Sequence, residues 1–108
     1  ADTHLADWLE RMGIAFDVVT DEDLDDFGPE LIKPYTCLVT GSHPEYHTPG
    51  TLDAIQSYVD GGGRLAYLGG NGFYWKVARS ARLPGTLEIR RTGPAIRTWA
   101  AEPGEHYN

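Results

Sequence analysis

The chain has 108 residues, of which 41% are hydrophobic, and sixteen acidic residues against nine basic ones give it a formal charge of -7. This size and composition predict one globular domain with one modest core. The negative charge argues against a nucleic-acid partner or an anionic membrane surface and favours a neutral or cationic ligand. The apolar runs are too short to span a bilayer. The single cysteine, Cys37, excludes a disulfide framework and favours a cytoplasmic location.

The first third of the sequence has helical and strand-like patterns in turn. Thr3 is a potential N-cap for a helix whose apolar residues recur at helical spacing and which Gly13 would end. Residues 14–19 are predicted to form a buried strand. The acidic run 21–26, which follows Thr20, predicts a short helical turn with a solvated face.

A second predicted helix joins two further strands. The strands cover residues 36–40 and 64–68, and Thr48 with Pro49 would open the helix between them. Its apolar stripe is formed by Leu52, Ile55 and Val59. A helix of about a dozen residues between two strands is typical of a right-handed parallel βαβ unit. The predicted fold class is therefore α/β, with residues 1–80 as the βα core.

The pattern changes near the C-terminus. Residues 86–90 and 95–99 alternate polar and apolar positions around a Thr-Gly-Pro turn, which predicts a β-hairpin over residues 85–100. This hairpin would be appended to a single domain, 1–108. The chain begins without methionine and on a helix, whereas a parallel sheet usually begins with a strand. We therefore expect it to be a fragment of a larger domain, with further sequence on both sides.

Polar and aromatic residues cluster in the loops after the predicted strands. Ligands of open parallel sheets bind beyond the carboxyl ends of the strands, which selects the loops 20–22, 41–47 and 69–74. Residues 67–75 contain three glycines followed by three consecutive aromatic rings, and glycine lets a loop approach a ligand closely. Tyr46 and Tyr74 each lie six residues past a strand. Because neighbouring strands are about 4.8 Å apart, the two phenols are predicted to reach a common point.

Titratable side chains flank the same point. His43, Glu45 and His47 place two imidazoles and one carboxylate within five residues, as in loops that supply general acids, bases and metal ligands. Structural alternatives exist, since His43 can stabilise a turn before proline and Glu45 can be a solvated acid. The aromatic residues 73–75 are of a kind that more often packs in cores or interfaces.

Several enzyme motifs are absent. The glycine loop has no Walker lysine and no dinucleotide spacing, and the chain has no Gly-x-Ser-x-Gly elbow. An amidotransferase-like domain would carry a nucleophilic cysteine in the turn after the third strand, but residues 70–72 are Gly-Asn-Gly. Covalent thiol catalysis from that turn is therefore excluded.

Four motifs in a fixed order carry a family resemblance. They are residues 41–46 (Gly-Ser-His-Pro-Glu-Tyr), 67–75, 88–91 (Glu-Ile-Arg-Arg) and 99–105 (Trp-Ala-Ala-Glu-Pro-Gly-Glu). From about residue 36 onward the chain resembles the large (beta) subunit of the N,N-dimethylformamidase family, whereas the first 35 residues resemble it only in pattern. The resemblance implies a C-terminal class I glutamine amidotransferase-like domain, with a flavodoxin-like, three-layer parallel sheet.

The resemblance also implies an activity and a metal. Family members are amidohydrolases that cleave N,N-dimethylformamide and similar N-substituted formamides to formate and an amine, at mononuclear iron bound by two tyrosine oxygens and a glutamate. Tyr46 and Tyr74 end matching motifs and are the expected phenolate ligands, with Tyr35 as the competitor for the first. Glu105 is the expected carboxylate ligand and Glu102 its neighbour in the motif, unless the ligand lies beyond the chain.

Loop position suggests the remaining roles. His43 or Glu45 would take a proton from water and deliver it to the departing amine, and Asn71 would donate a hydrogen bond to the developing oxyanion. The complete protein is expected to bind Fe³⁺ and a small amide, with a small companion subunit and a homo-oligomeric assembly, whereas the fragment alone is expected to be inactive. The alternative functions are a non-catalytic amidotransferase-like module for binding or assembly, without metal, and a sugar-binding relative of the same fold.

Overall fold

The structure is a computed structural model that describes residues 2–89. In chain order, its elements are α1 (Thr3–Arg11), α2 (Asp21–Phe27), a 3-10 helix (Gly28–Leu31), β1 (Cys37–Val39), β2 (Tyr46–His47), α3 (Pro49–Asp60), β3 (Arg64–Ala66), β4 (Trp75–Lys76), β5 (Ala78–Arg79) and β6 (Leu87–Glu88). The predicted α/β class is confirmed. Within this described range, no helix has both the length and the hydropathy required to cross a bilayer.

The central unit is a parallel β1–α3–β3 crossover. Strands β1 and β3 pair with Leu38 opposite Leu65, and α3 lies between them in the chain. The Thr48 hydroxyl caps α3 by accepting a hydrogen bond from the backbone N–H of Thr51 at 3.1 Å. Pro49 occupies the first helical turn, where its missing N–H leaves no hydrogen bond unmade. The predicted crossover and the predicted start of its helix are both confirmed.

Helix α2 has a reciprocal cap at its first turn. The Thr20 hydroxyl accepts from the Asp23 N–H at 3.1 Å, and the Thr20 N–H donates to the Asp23 carboxylate at 3.3 Å. Asp25 accepts hydrogen bonds from the Thr48 hydroxyl and from the guanidinium of Arg79 in β5. Four of the five acids in this run are exposed, as the predicted solvated face requires, whereas Asp25 is half-buried and holds α2 against α3 and β5.

The core lies between α2, the 3-10 helix and α3. Leu24, Ile32, Ala54 and Tyr58 are each no more than 6% exposed. Tyr58 can be buried because its hydroxyl donates to the carbonyl of Tyr35 at 2.8 Å. One small cluster therefore positions the helices that cover the β1–β3 pair.

The buried face of α3 differs from the predicted stripe. Thr51, Ala54 and Tyr58 are buried, whereas Val59, which the apolar pattern placed inward, is 39% exposed. Ile55 of the predicted stripe packs against the core. Tyr58 is buried in place of Val59 because its hydroxyl has an internal partner, and Thr51 is buried because its hydroxyl meets that of Thr48. Polar residues with internal partners therefore replace larger aliphatic ones on this face.

Residues 14–19 do not form the predicted buried strand. Ile14, Phe16 and Val18 are 46%, 38% and 79% exposed, and the segment has no strand pairing within residues 2–89. A strand needs a neighbour to satisfy its backbone groups, and no described segment provides one. The apolar pattern of these residues therefore gave the wrong element.

The strands of residues 2–89 form three separate pairs rather than one sheet. Strands β2 and β4 are parallel, and β5 and β6 are antiparallel. The expected three-layer, flavodoxin-like sheet is not confirmed. Of the predicted C-terminal hairpin, β6 pairs with β5, and residues 95–99 lie outside the described range.

Candidate functional site

Two loops follow the carboxyl ends of β1 and β3 and lie side by side. We call residues 41–47 the histidine loop and residues 67–75 the glycine loop. Backbone N–H groups of the glycine loop and of the residues just after it donate to carbonyls of the histidine loop at 2.8–3.2 Å, in the pairs Gly70 to Ser42, Phe73 to Pro44, Trp75 to Glu45 and Val77 to His47. The predicted approach of the two loops is therefore confirmed.

Glycine is required where the loops come closest. A Cβ atom at Gly69 would lie 2.6 Å from the Ser42 carbonyl oxygen and 2.7 Å from Cδ of Pro44, distances that real Cβ atoms do not adopt. Gly72 lies against the ring of Tyr67, and its N–H donates to the Tyr67 hydroxyl at 2.8 Å. The glycines thus let the glycine loop contact both its neighbour and its own first residue.

The glycine loop contains two residues in the left-handed region. Asn71 has φ of 51° and Phe73 has φ of 59°. Asparagine adopts this conformation readily, whereas for phenylalanine it costs about 1–2 kcal/mol. The Phe73 ring stacks on His47 with centroids 4.8 Å apart and planes 19° apart. Contacts with the histidine loop therefore offset a strained backbone.

Both candidate phenols are at the solvent-exposed surface of these loops. Tyr46 is 45% exposed and Tyr74 is 60% exposed. Register places Trp75 opposite Tyr46, and the Tyr74 ring meets Trp75 edge-on at 5.4 Å. Neither hydroxyl is hydrogen-bonded to another residue of the described range. The structure thus brings the two residues into neighbouring segments, while the convergence of their oxygens stays a prediction.

Tyr35, the competing ligand, lies at the opposite end of the strand pair. It precedes β1, and its hydroxyl donates to the Asp17 carboxylate at 2.6 Å. This hydrogen bond to Asp17 raises the pKa of Tyr35. Tyr35 is therefore engaged with Asp17 at the end of the strand pair away from Tyr74, and this position favours Tyr46 over Tyr35.

The structure brings two of the three proposed catalytic residues into contact. Nδ1 of His43 lies 3.2 Å from Oε2 of Glu45, and the side chains are 59% and 11% exposed, respectively. At this distance a proton can pass between the imidazole and the carboxylate. Asn71 is exposed in the neighbouring glycine loop. Glu105, like Glu102, lies outside the described residues.

Asp2 anchors the histidine loop and was not predicted from the sequence. The Asp2 carboxylate accepts hydrogen bonds from the backbone N–H and the hydroxyl of Ser42 at 2.7 and 2.8 Å. These bonds lower the pKa of Asp2, so the carboxylate stays charged and fixes the start of the histidine loop. Forty residues separate the partners, and no local pattern could have indicated the contact.

Cavities occur at both ends of the β1–β3 pair. The cavity at the carboxyl end, about 390 Å³, is lined by His43, Pro44, His47 and Phe73 among other residues, with no lysine or arginine of the described range among them. A larger one of about 590 Å³ lies at the amino end, beside Tyr35. Parallel sheets bind ligands beyond their carboxyl ends, which favours the smaller cavity as a binding space, but neither Tyr46 nor Tyr74 is among the residues that line it.

The donor atoms suit a hard metal ion. Among residues 2–89, no three histidine, cysteine, aspartate or glutamate side chains converge as a metal site, so a site there would depend on tyrosine oxygens. Tyr46 and Tyr74 provide two exposed phenol oxygens on adjacent segments. Phenolate and carboxylate are hard oxygen donors of the type that Fe³⁺ prefers. The types of oxygen donor present are therefore those that the resemblance implies, while their convergence on one metal ion stays a prediction.

Comparison with known proteins extends the resemblance to the whole sequence. The family described as "N,N-dimethylformamidase beta subunit-like, C-terminal" matches residues 1–108, including the first 35 residues. The N,N-dimethylformamidase beta subunits of an Alcaligenes species and of Paracoccus aminophilus are 44% and 42% identical to the chain over 107 residues. The match covers 99% of this chain and 14% of each relative. The chain belongs to the N,N-dimethylformamidase beta subunit-like family and corresponds to the C-terminal region that the family describes.

Proposed function

We propose that the protein containing this chain hydrolyses small N-substituted formamides, N,N-dimethylformamide among them, to formate and an amine. The observation that carries the proposal is the hydrogen-bonded pair of loops that exposes Tyr46 and Tyr74 beside the His43–Glu45 contact. Family membership supports the substrate class, since both relatives bear the name of this activity. The chain spans 14% of their length, so the activity belongs to the intact protein.

The metal part of the proposal assigns ligands. Tyr46 and Tyr74 would bind mononuclear Fe³⁺ through their phenolate oxygens, and Glu105 would provide the carboxylate. When bound, the ion supplies a Lewis acid that polarises the amide carbonyl and makes a water molecule more acidic. The exposure of both phenols supports this assignment, as does the fact that neither hydroxyl has a hydrogen-bond partner among residues 2–89.

The chain's own side chains would move the protons. Glu45 accepts a proton from water as the water oxygen attacks the formyl carbon. His43, 3.2 Å away, then delivers that proton to the nitrogen as the C–N bond breaks, so the amine leaves neutral. The formic acid that forms loses its remaining proton to solvent and becomes formate. The side-chain amide of Asn71 donates a hydrogen bond to the carbonyl oxygen while negative charge develops there.

Assembly and location complete the proposal. Because the relatives are named as beta subunits, we propose a small companion subunit and a larger homo-oligomeric assembly for the intact protein. The free thiol of Cys37 is consistent with a cytoplasmic location. We also propose that the three-layer sheet is completed only in the intact protein, where the apolar residues 14–19 would gain a neighbouring strand.

The deciding experiment is metal analysis of the intact protein. We expect about one iron per site and a tyrosinate charge-transfer band, and we expect Tyr46→Phe and Tyr74→Phe each to lose both. Tyr35→Phe is the matched control and should retain both. Normal iron content in the Tyr46→Phe and Tyr74→Phe variants would refute the ligand assignment. A metal-free, colourless intact protein without formamide hydrolysis would instead favour the binding or assembly module.

A further inference from the structure

The side chain next to Tyr46 is buried, in contrast to the phenol. Strand β2 consists of Tyr46 and His47, and successive side chains of a strand point to opposite faces. Tyr46 is 45% exposed, whereas His47 is 4% exposed. The His47 imidazole therefore faces the interior, whereas the Tyr46 phenol faces solvent.

The imidazole contacts both loops of the site. Its Nε2 lies 2.8 Å from the Pro44 carbonyl, which also accepts the N–H of Phe73 at 2.8 Å. The same ring stacks on Phe73, and the His47 carbonyl accepts the N–H of Val77 at 2.8 Å. Among the described contacts of His47, the ring stack joins the histidine loop directly to the glycine loop. The side-chain hydrogen bond acts within the histidine loop, on the carbonyl that accepts the Phe73 N–H, and the backbone bond reaches Val77, just after the glycine loop.

The contacts determine which ring nitrogen donates. A carbonyl oxygen only accepts hydrogen bonds, so Nε2 carries the proton, and in the neutral ring Nδ1 carries the lone pair. Nδ1 is buried and has no partner among residues 2–89. An unsatisfied buried acceptor destabilises a fold, and an apolar ring of similar shape would avoid that cost. Among residues 2–89, stability of the core alone therefore does not account for histidine at this position.

We propose that His47 is a positioning residue that holds the Tyr74-bearing glycine loop in register with Tyr46. The hydrogen bond fixes the Pro44 carbonyl, and the stack holds Phe73 in its left-handed conformation. Because Tyr74 directly follows Phe73, a change at His47 moves one phenol relative to the other. The effect of His47 on iron binding rests on the proposed function, whereas its effect on how the two loops are held together does not.

The test compares three variants of the intact protein. His47→Phe keeps a ring that can stack but loses the donor, His47→Gln keeps a donor near the Nε2 position, and His4→Phe makes the same change at an exposed position of α1. Removing a residue that orients a metal ligand typically costs about 10- to 100-fold in metal affinity or activity. We expect a loss of that size in iron affinity for His47→Phe, with a shifted charge-transfer band, partial rescue by His47→Gln and no change for His4→Phe.

A second readout does not depend on the metal. Amide hydrogen exchange of Phe73, Trp75 and Val77 reports the bonds between the loops. It should be faster in His47→Phe, with exchange in β3 unchanged. If His47→Phe does not fold, Phe73→Leu removes the stack while leaving every backbone bond in place, and should also speed exchange.

The outcomes separate the two proposals. Parental exchange rates and a parental charge-transfer band in His47→Phe would overturn the positioning role, as would parental exchange in Phe73→Leu. If the unaltered protein has neither iron nor activity, the proposed function fails, and faster exchange in the variants would still establish the coupling of the loops.

Discussion

The two ends of the β1–β3 pair use the same residue types for different purposes. At the amino end, the Tyr35 hydroxyl donates to Asp17 and the Tyr58 hydroxyl donates to the Tyr35 carbonyl. At the carboxyl end, backbone bonds join the two loops, and the hydroxyls of Tyr46 and Tyr74 make no hydrogen bond to another described residue. The tyrosines at the amino end thus have a structural role, whereas at the carboxyl end the backbone holds the loops together, and a chemical role for the two phenols is part of the proposal.

The largest difference in turnover is expected between variants of a glutamate at each end of the β1–β3 pair. Glu45→Gln removes the proposed base, and turnover of N,N-dimethylformamide should fall about 100- to 10,000-fold, the usual contribution of general acid–base catalysis. The control is Glu30→Gln at the amino end, where the carboxylate only pairs with Lys33 at 3.3 Å. Steady-state kinetics and iron content of both variants are the measurements. Unchanged turnover in Glu45→Gln would remove the proposed base from the mechanism.

A smaller effect is expected from the contact between the loops. Gly69→Ala places a Cβ against the Ser42 carbonyl and Pro44, and overpacking of this kind costs about 1–3 kcal/mol in the free energy of unfolding. Gly70→Ala is the matched control, since a Cβ there meets nothing within 4 Å. Denaturant unfolding measures both. Equal stability of the two variants would show that the loops are not held as closely as described.

The structural role of the Tyr35 hydroxyl can be tested through the pH dependence of stability. The pKa of Tyr35 is raised in the folded state, so its stabilising contribution is complete below the usual tyrosine pKa of about 10. It is lost as pH rises through the folded value. The thermal midpoint of the unaltered protein should therefore fall more steeply in this alkaline range than that of Tyr35→Phe. Loss of iron from Tyr35→Phe would contradict the contrast between the two ends.

The smallest effect should come from Asp2. Its pKa is lowered by the hydrogen bonds from Ser42, so its contribution is present above the usual aspartate pKa of about 3.9 and is lost as pH falls through the lower folded value. Asp2→Asn should be slightly less stable than the unaltered protein near neutral pH, with the difference vanishing in acid. Thermal midpoints across this range measure it, and a difference that persists in acid would exclude the charged carboxylate as its cause.

Helix caps and apolar runs in the sequence correctly predicted the elements whose formation depends on nearby residues. Thr48 and Pro49 specified the start of α3, and the helix between two apolar runs specified the parallel β1–β3 pair. The failures have tertiary causes. Residues 14–19 have a strand-like pattern but lack a described neighbour to pair with. In α3, Tyr58 is buried instead of Val59 because the Tyr58 hydroxyl has an internal hydrogen-bond partner.

The same distinction applies to the site. Two loops after two parallel strands had to meet, so their approach was predictable from order alone. The bond between Asp2 and Ser42 joins residues forty positions apart, and the burial of His47 depends on the stack with Phe73. Neither leaves a local signature, because both depend on how distant segments pack.

The two-residue length of β2 limits how the protein can evolve. Tyr46 is exposed and His47 is buried in consecutive positions, and a shift of one residue in a strand exchanges its faces. A single inserted or deleted codon between Thr40 and Tyr46 would therefore bury the phenol and expose the imidazole, although every residue type of the site would still be encoded. We expect members of this lineage to tolerate substitutions in the histidine loop far more readily than changes in its length.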